Sequence, residues 1–112
     1  MGIIVIADSL YISNNIKNPK KVVANIIGDN FSGSEFLICL NSTSTNLMDI
    51  YYTQEIKNPY VNLNNLMVLA ICAGKEETKQ TCAFIIEQFM QEYNDINDFK
   101  SKVGLIRWGK ND

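Results

Sequence analysis

The residues best placed to do chemistry lie where an apolar run meets a charged segment, in LMVLAICAGKEETKQT at positions 66–81. A strand that ends at Gly74 before a helix aims backbone N–H groups at the junction, and Lys75 adds positive charge. This pattern could bind a phosphate or a nucleotide-like anion. However, Glu76 follows the lysine and no glycine stands at the P-loop distance upstream. A tight turn that needs Gly74 for its backbone freedom is the favoured interpretation.

A second candidate pair, Asp8 and Ser9, follows the first apolar run. Ligands of open α/β sheets bind beyond the carboxyl ends of parallel strands. If the first strand ends near Ala7, the pair would join the glycine–lysine junction in one ligand-binding site. If the strand continues to Ile12, the pair lies in mid-strand and Asp8 faces solvent. A single acid and a single hydroxyl specify no chemistry, so the second interpretation is favoured.

The sequence contains no histidine, which removes the commonest general base and the commonest metal ligand. Cys39, Cys72 and Cys82 form no C-x-x-C pair and stand among apolar neighbours. This arrangement predicts buried structural thiols rather than a disulfide framework or a zinc site. We therefore expect no metal, no cofactor and no catalytic residue, although the sequence leaves the existence of an activity open.

Three aromatic residues predict a protein interface. Phe84 lies opposite the apolar stripe of its predicted helix, which consists of Cys82, Ile85, Ile86, Phe89, Met90 and Tyr93. Tyr51 lies on the polar face of an alternating strand whose apolar face carries Ile50. Trp108 follows near the C-terminal end. Aromatic side chains on otherwise polar surfaces are enriched at protein interfaces. Single exposed aromatics are also common without any function, which is the alternative interpretation.

The whole chain has the composition of one globular domain, with 112 residues, 46% hydrophobic and 20% charged, and a net charge of -2. It has no basic cluster, so we expect no nucleic-acid partner. The apolar start MGIIVIADSLY is too short to span a bilayer and lacks a basic n-region. These features predict no membrane association and a cytoplasmic location. The excess of Lys over Arg, with many Ile and Asn, indicates an AT-rich genome and a bacterial source.

The predicted fold class is α/β (α+β), a single domain with a mixed sheet of four to five strands and two helices. The order is β-α-β-β-β-α, with a final strand or packed tail at 102–108. The first two strands and their helix predict a parallel βαβ unit, and the next loops are short enough for an antiparallel meander. Two helices are too few to cover both faces, so we expect them to share one. The ranges are strands at 3–12, 35–40, 48–56 and 66–72, and helices at 19–27 and from 75 to the NDIND segment at 94–98, which ends or breaks the second helix.

The leading functional hypothesis is a small cytosolic, non-enzymatic interaction or regulatory module. It would self-associate or dock on a protein partner, as an immunity-type protein or a regulatory subunit does. The open sheet face and the exposed aromatics favour this hypothesis. The alternative is an anion-binding domain or small enzyme with its site at Asp8, Ser9, Gly74 and Lys75.

Overall fold

A computed structural model describes residues 4–27, 35–41, 45–56 and 66–103. These residues form an α+β fold with a mixed sheet and two long helices, as predicted. Two helical turns of four residues were not predicted. The expected strand or tail at 102–108 lies outside the described residues beyond Val103. The elements are β1 (Ile4–Ile12), α1 (Pro19–Ile27), β2 (Phe36–Asn41), β3 (Asp49–Tyr52), α2 (Thr53–Ile56), β4 (Leu66–Cys72), α3 (Lys75–Tyr93) and α4 (Phe99–Lys102).

The described strands lie in the order β1-β4-β2-β3. β4 runs parallel to β1, whereas β2 runs antiparallel to both β4 and β3. The predicted parallel βαβ unit is wrong, because β4 inserts between β1 and β2 and leaves those two strands antiparallel. The meander is half right: β2 and β3 pair as expected, but β4 pairs with β2. The physical reason is that β4 is almost wholly apolar, and a strand flanked on both sides buries it best.

The sheet is covered on both faces, so the expectation that the two helices share a face is wrong. Side chains of β2 alternate between two apolar clusters. Leu37 packs in the cluster that contains Ile26 of α1. Its neighbour Ile38 packs in the cluster that contains Ile85 and Phe89 of α3. Because successive strand residues point to opposite faces, α1 and α3 lie on opposite sides of the sheet. The uninterrupted apolar runs of β2 and β4 reflect this two-sided burial.

β1 continues to Ile12 and contains an irregularity that decides where Asp8 and Ser9 lie. Ile6 pairs with Val68 and Tyr11 pairs with Ala70, so β1 has more residues than β4 between the same two pairings. The extra residues form a bulge that includes Asp8 and Ser9. The two residues therefore lie in mid-strand rather than at the carboxyl end of β1. Their side chains are outside the described part of the structure.

α3 has the predicted start, and it ends at Asn94, which adopts φ 58 and donates its N–H to the Met90 carbonyl. Its buried face differs from the predicted stripe, since Met90 is exposed and two threonines are buried. The hydroxyls of Thr78 and Thr81 donate to the carbonyls of Gly74 and Glu77, at 2.6 and 2.8 Å. These bonds satisfy both hydroxyls inside the helix, so the threonines can lie against the sheet.

β3 is shorter than the predicted strand at 48–56, because the chain turns into α2 at Thr53. The expected faces also differ. Ile50, assigned to the apolar face, is 46% exposed, whereas Tyr51, assigned to the polar face, is half-buried against the α1-side cluster. The reason is that β3 lies at the end of the described sheet, beyond the cover that α3 gives to β2 and β4.

Candidate functional site

The carboxyl ends of β1 and β4 meet at one edge of the sheet because the two strands are parallel. The connection after β1 leads to α1 on one face, and the connection after β4 leads to α3 on the other. A pair of neighbouring parallel strands whose connections diverge in this way is the usual ligand position in open α/β sheets. We therefore take this edge, with residues 13–15 and 73–77, as the first candidate site and call it the strand-end junction.

The carboxylate of Glu77 occupies the centre of the strand-end junction. Its Oε1 accepts the backbone N–H of Ala73 at 2.7 Å. Its Oε2 accepts the hydroxyl of Ser13 and the side-chain amide of Asn15, the latter at 3.1 Å. The backbone N–H of Gly74 also donates a hydrogen bond to this carboxylate. Glu77 is the third residue of α3, so this is the acidic half of a capping box, in which the helix satisfies its own N-terminal donors.

The electrostatics of the junction follow from these bonds. The hydrogen bond from Ser13 is the largest cause that holds the pKa of Glu77 below its usual value, with further lowering from the N–H of Ala73 and the amide of Asn15. Partial burial acts in the opposite direction but is outweighed. Glu77 is therefore ionised at neutral pH, and its negative charge stands where an external anion would have to bind.

Ser13 is the most buried polar group of the junction, with 3% of its surface exposed. Its N–H donates to the Ile71 carbonyl at 3.0 Å, and its own carbonyl accepts the N–H of Ile16 at 3.1 Å. Its hydroxyl accepts the N–H of Asn15 at 3.0 Å while donating to Glu77. The hydroxyl is thus used in both directions, and it fastens the turn after β1 to the start of α3.

The predicted ligand-binding residues are only partly assembled at this edge. Gly74 and Lys75 lie there as the N-cap and first residue of α3. Ser13 and Asn15 occupy the strand end at which Asp8 and Ser9 would have had to lie. The assignment of Asp8, Ser9, Gly74 and Lys75 to a ligand site remains a prediction.

Gly74 is not required by the turn, and that part of the sequence interpretation is wrong. Its backbone is extended, at φ -152 and ψ 167, a conformation open to any residue. A Cβ added at this position would meet no atom within 4 Å. The sequence reasoning also missed Glu77, although a glutamate at the third helical position after the cap is a recognisable capping signal.

Cys39 and Cys72 are buried as expected, whereas Cys82 is only half-buried. Burial is the main cause that raises the pKa of Cys72, and the charge of Glu77 raises it further, although the Thr78 and Thr81 hydroxyls act against this. Burial and then Asp49 raise the pKa of Cys39, while burial and then Cys72 raise that of the half-buried Cys82. All three are free thiols. Thiols shifted in this direction stay protonated at neutral pH and are poor nucleophiles.

The structure does not bring together Tyr51 and Phe84, the two predicted interface aromatics that lie among the described residues. Tyr51 packs on the α1 side of the sheet, and its hydroxyl accepts the side-chain amide of Asn41 at 3.4 Å. Phe84 is half-buried on the α3 side, with its ring 5.9 Å from that of Tyr11 in β1. These two aromatics thus lie on opposite faces, beside strands at opposite ends of the described order. Trp108 lies outside the described residues. The interface role of each one stays a prediction.

A second candidate site is an apolar surface that the sequence did not reveal. Among the described residues, the large hydrophobic side chains with most exposure are Leu47, Ile50 and Met90, at 38%, 46% and 38%. Ile50 is the register partner of Ile38, which packs under α3, so Ile50 faces the α3 side. Together with the half-buried Ile86, we call these residues the β3–α3 apolar surface.

Helix geometry places Ile86 and Met90 on the flank of α3 that faces away from β1. Glu77 and Phe84 contact β1 or its end, which orients one flank of α3 toward β1. Residues 86 and 90 lie on the other flank, since each residue turns the helix by about 100°. That flank therefore points toward the β2–β3 side of the sheet.

The end of α3 lies near the start of β3. Phe89 packs on Phe99 with ring centroids 4.8 Å apart, and Lys100 donates to the Asn41 carbonyl at 2.9 Å. These contacts hold the C-terminal part of α3 over the end of β2. The chain continues from there toward β3. Leu47 and Met90 therefore lie toward the same end of the sheet, and Ile50 faces the side that α3 covers.

Within the described ranges, no three His, Cys, Asp or Glu side chains are grouped to hold a metal ion. In the same residues, no helix combines the length and apolar character needed to cross a bilayer. Comparison with known proteins found no match for this chain among family models, curated proteins or solved structures. Its function therefore has to be argued from its own residues.

Proposed function

We propose that this chain is a small cytoplasmic, non-enzymatic interaction module, which binds a protein surface through the β3–α3 apolar surface. The partner is a second copy of the chain or another protein, as for an immunity-type protein or a regulatory subunit. The proposal rests on the exposure of Leu47, Ile50 and Met90, the most exposed large hydrophobic residues described, and on the orientation of Ile50 toward the side of the sheet that α3 covers. Contiguous exposed apolar patches mark interaction sites far more often than scattered residues do.

The surface has the make-up of a protein interface rather than of a ligand pocket. It combines a short strand, which is the last in the described order, with one flank of a long helix, and it contains methionine and isoleucine. Methionine is enriched at protein interfaces, because its flexible side chain adapts to different shapes. Polar groups lie at its margin, where the Asn46 side chain donates to Asp49 at 2.9 Å. An apolar centre with a polar rim is the usual organisation of a protein–protein contact.

The chemistry of the strand-end junction also supports a non-enzymatic role. Its central carboxylate, that of Glu77, has a lowered pKa and accepts hydrogen bonds from Ser13, Asn15 and Ala73. A carboxylate with these properties is a weak general base. The nearby thiol of Cys72 has a raised pKa. The alternative function, an anion site at Gly74 and Lys75, is less well supported because an incoming anion would have to displace Glu77.

Light scattering of the purified protein across a range of concentrations tests the proposal. The double variant Ile50→Thr/Met90→Gln removes apolar surface but keeps a strand-forming and a helix-forming residue. If the partner is a second copy, the wild-type mass exceeds that of a monomer, and the double variant is monomeric. The matched control Gln80→Ala/Gln91→Ala changes two exposed residues of α3 outside the surface and should behave as wild type.

A monomeric wild-type protein at every concentration would refute self-association and leave a different protein as the only occupant under the proposal. Wild-type and double-variant proteins with the same mass above that of a monomer would refute the role of this surface. In that case the predicted aromatics become the next residues to replace, with Tyr51→Ala and Phe84→Ala tested separately because they lie on opposite faces.

A further inference from the structure

The strand-end junction joins two parts of the molecule that are otherwise held by separate contacts. One part is the turn of residues 13–16, whose Ile16 is anchored in the α1-side cluster. The other part is the first turn of α3, whose Thr78 packs on the α3 side. The side-chain bonds between these parts converge on one carboxylate, that of Glu77. Removal of that carboxylate leaves each part with its own anchor but takes away these shared bonds.

We propose that Glu77 is a conformational latch, whose release opens the turn after β1 and the first turn of α3 together while the central strands remain paired. The burial of Ser13 is the reason that loss of Glu77 would destabilise the turn. Ser13 is almost fully buried, and without Glu77 its hydroxyl would lose the acceptor it uses in the folded protein. A buried donor without an acceptor is strongly unfavourable, so the turn gains by moving toward water.

The central sheet does not depend on the latch. The paired core of β2 and β4, including Leu37, Val68 and Ile71, is completely buried between the two helices. Its register with the neighbouring strands is made by backbone bonds that do not involve Glu77. Regions held by few buried contacts open below the free energy of global unfolding, whereas such a core opens only with it. The latch therefore controls a local opening at the edge where parallel strands present their carboxyl ends.

Hydrogen exchange measured by NMR on Glu77→Ala tests the latch, with Glu76→Ala as the matched control. Both variants replace a glutamate in the first turn of α3 by the best helix former, so helix propensity and the interaction with the helix dipole change equally. The informative amides are those of Asn15 and Ile16, which donate to Ser13 and not to Glu77. A residue that merely caps the helix would leave these two amides unchanged.

We expect the amides of Asn15 and Ile16 to exchange about ten- to a hundredfold faster in Glu77→Ala, the effect of losing one charge-assisted hydrogen bond. Amides of β2 and β4 exchange through global unfolding and should be accelerated only as far as Glu77→Ala lowers the free energy of unfolding, and every amide in Glu76→Ala should match the wild type. Unchanged protection at Asn15 and Ile16 would overturn the latch, because Glu77 would then be a cap alone. Exchange at Asn15 and Ile16 with the same free energy and the same urea dependence as exchange in β2 and β4 would also overturn it, because the opening would then be global.

Ser13→Ala provides a second test that leaves the helix cap in place. The variant removes the hydroxyl, while the N–H of Ala73 keeps its bond to Glu77. The latch predicts faster exchange at Ile16, whose bond runs to the Ser13 backbone, and normal protection at Ala73. Normal protection at both positions would overturn the proposal.

Discussion

Replacement of Phe89 by alanine tests which face of α3 is buried. The Phe89 side chain has no exposed surface, and its ring centroid lies 4.7 Å from that of Tyr93 and 4.8 Å from that of Phe99. The neighbouring residue, Met90, is 38% exposed. The sequence pattern assigned both to one apolar stripe, whereas the structure buries only Phe89. Separate alanine variants of the two residues therefore distinguish the two descriptions.

The magnitude follows from the buried area. Removing a phenylalanine ring returns about 150 Å² of apolar surface to water or to a cavity, which corresponds to about 4 kcal/mol at about 25 cal/mol per Å². The lost ring contacts and the cavity place Phe89→Ala at about 3–5 kcal/mol. Met90→Ala should lower the free energy of unfolding by no more than about 1 kcal/mol, since the side chain is partly in water already.

Urea unfolding followed by circular dichroism measures both values. The two variants should keep the wild-type dependence on urea and differ only in midpoint. Similar losses for Phe89→Ala and Met90→Ala would refute the burial of α3 described above, and so would a larger loss for Met90→Ala. Either result would return the helix to the orientation that its sequence pattern indicated.

Four further predictions concern the junction and the thiols. Because the pKa of Glu77 is lowered in the folded protein, its stabilising effect is complete above the ordinary glutamate pKa of 4.5 and is lost as pH falls through the lower folded-state pKa. The difference in unfolding free energy between wild type and Glu77→Gln should therefore shrink in acid. A difference that grows in acid would contradict this sign. Gly74→Ser should have a free energy of unfolding within a few tenths of a kcal/mol of the wild-type value or above it, because the serine side chain enters open space and can cap α3. A free energy of unfolding lower than wild type by more than about 1 kcal/mol would show that glycine is needed there. Inorganic phosphate should leave the melting temperature unchanged in wild type and in Lys75→Ala; a rise in wild type that Lys75→Ala removes would restore the anion site. A thiol reagent should modify half-buried Cys82 before fully buried Cys39 in the folded protein, and mass spectrometry of the peptides would show the opposite order if this burial is wrong.

Several element boundaries could be predicted because their signals are local. Asn18 and Pro19 mark the start of α1, and the Asn18 carbonyl accepts the first helical N–H groups. The uninterrupted apolar run of β4 was located to the residue. Asn94 ends α3 in a left-handed conformation, as asparagine often does. Each of these signals acts within one turn or one strand, so the surrounding fold does not alter it.

Strand order and the faces of the sheet could not be predicted, because they depend on partners distant in sequence. Several apolar strands could pair with β4, and no local sequence pattern specifies which of them become its neighbours. The exposure of Ile50 follows from its position at the end of the described strands, and the same residue would be buried in a central strand. Ser13 joins the junction only because β1 continues past its bulge and runs parallel to β4. The candidate site therefore depends on the topology.

The most direct test of the central claim is a methyl and amide NMR titration of the protein with itself, from dilute to concentrated solution. The account predicts that the methyl signals of Ile50 and Met90 shift with concentration while the amides of Asn15, Gly74 and Lys75 stay fixed. Shifts at Gly74 and Lys75 with none at Ile50 and Met90 would contradict it, because recognition would then take place at the strand-end junction.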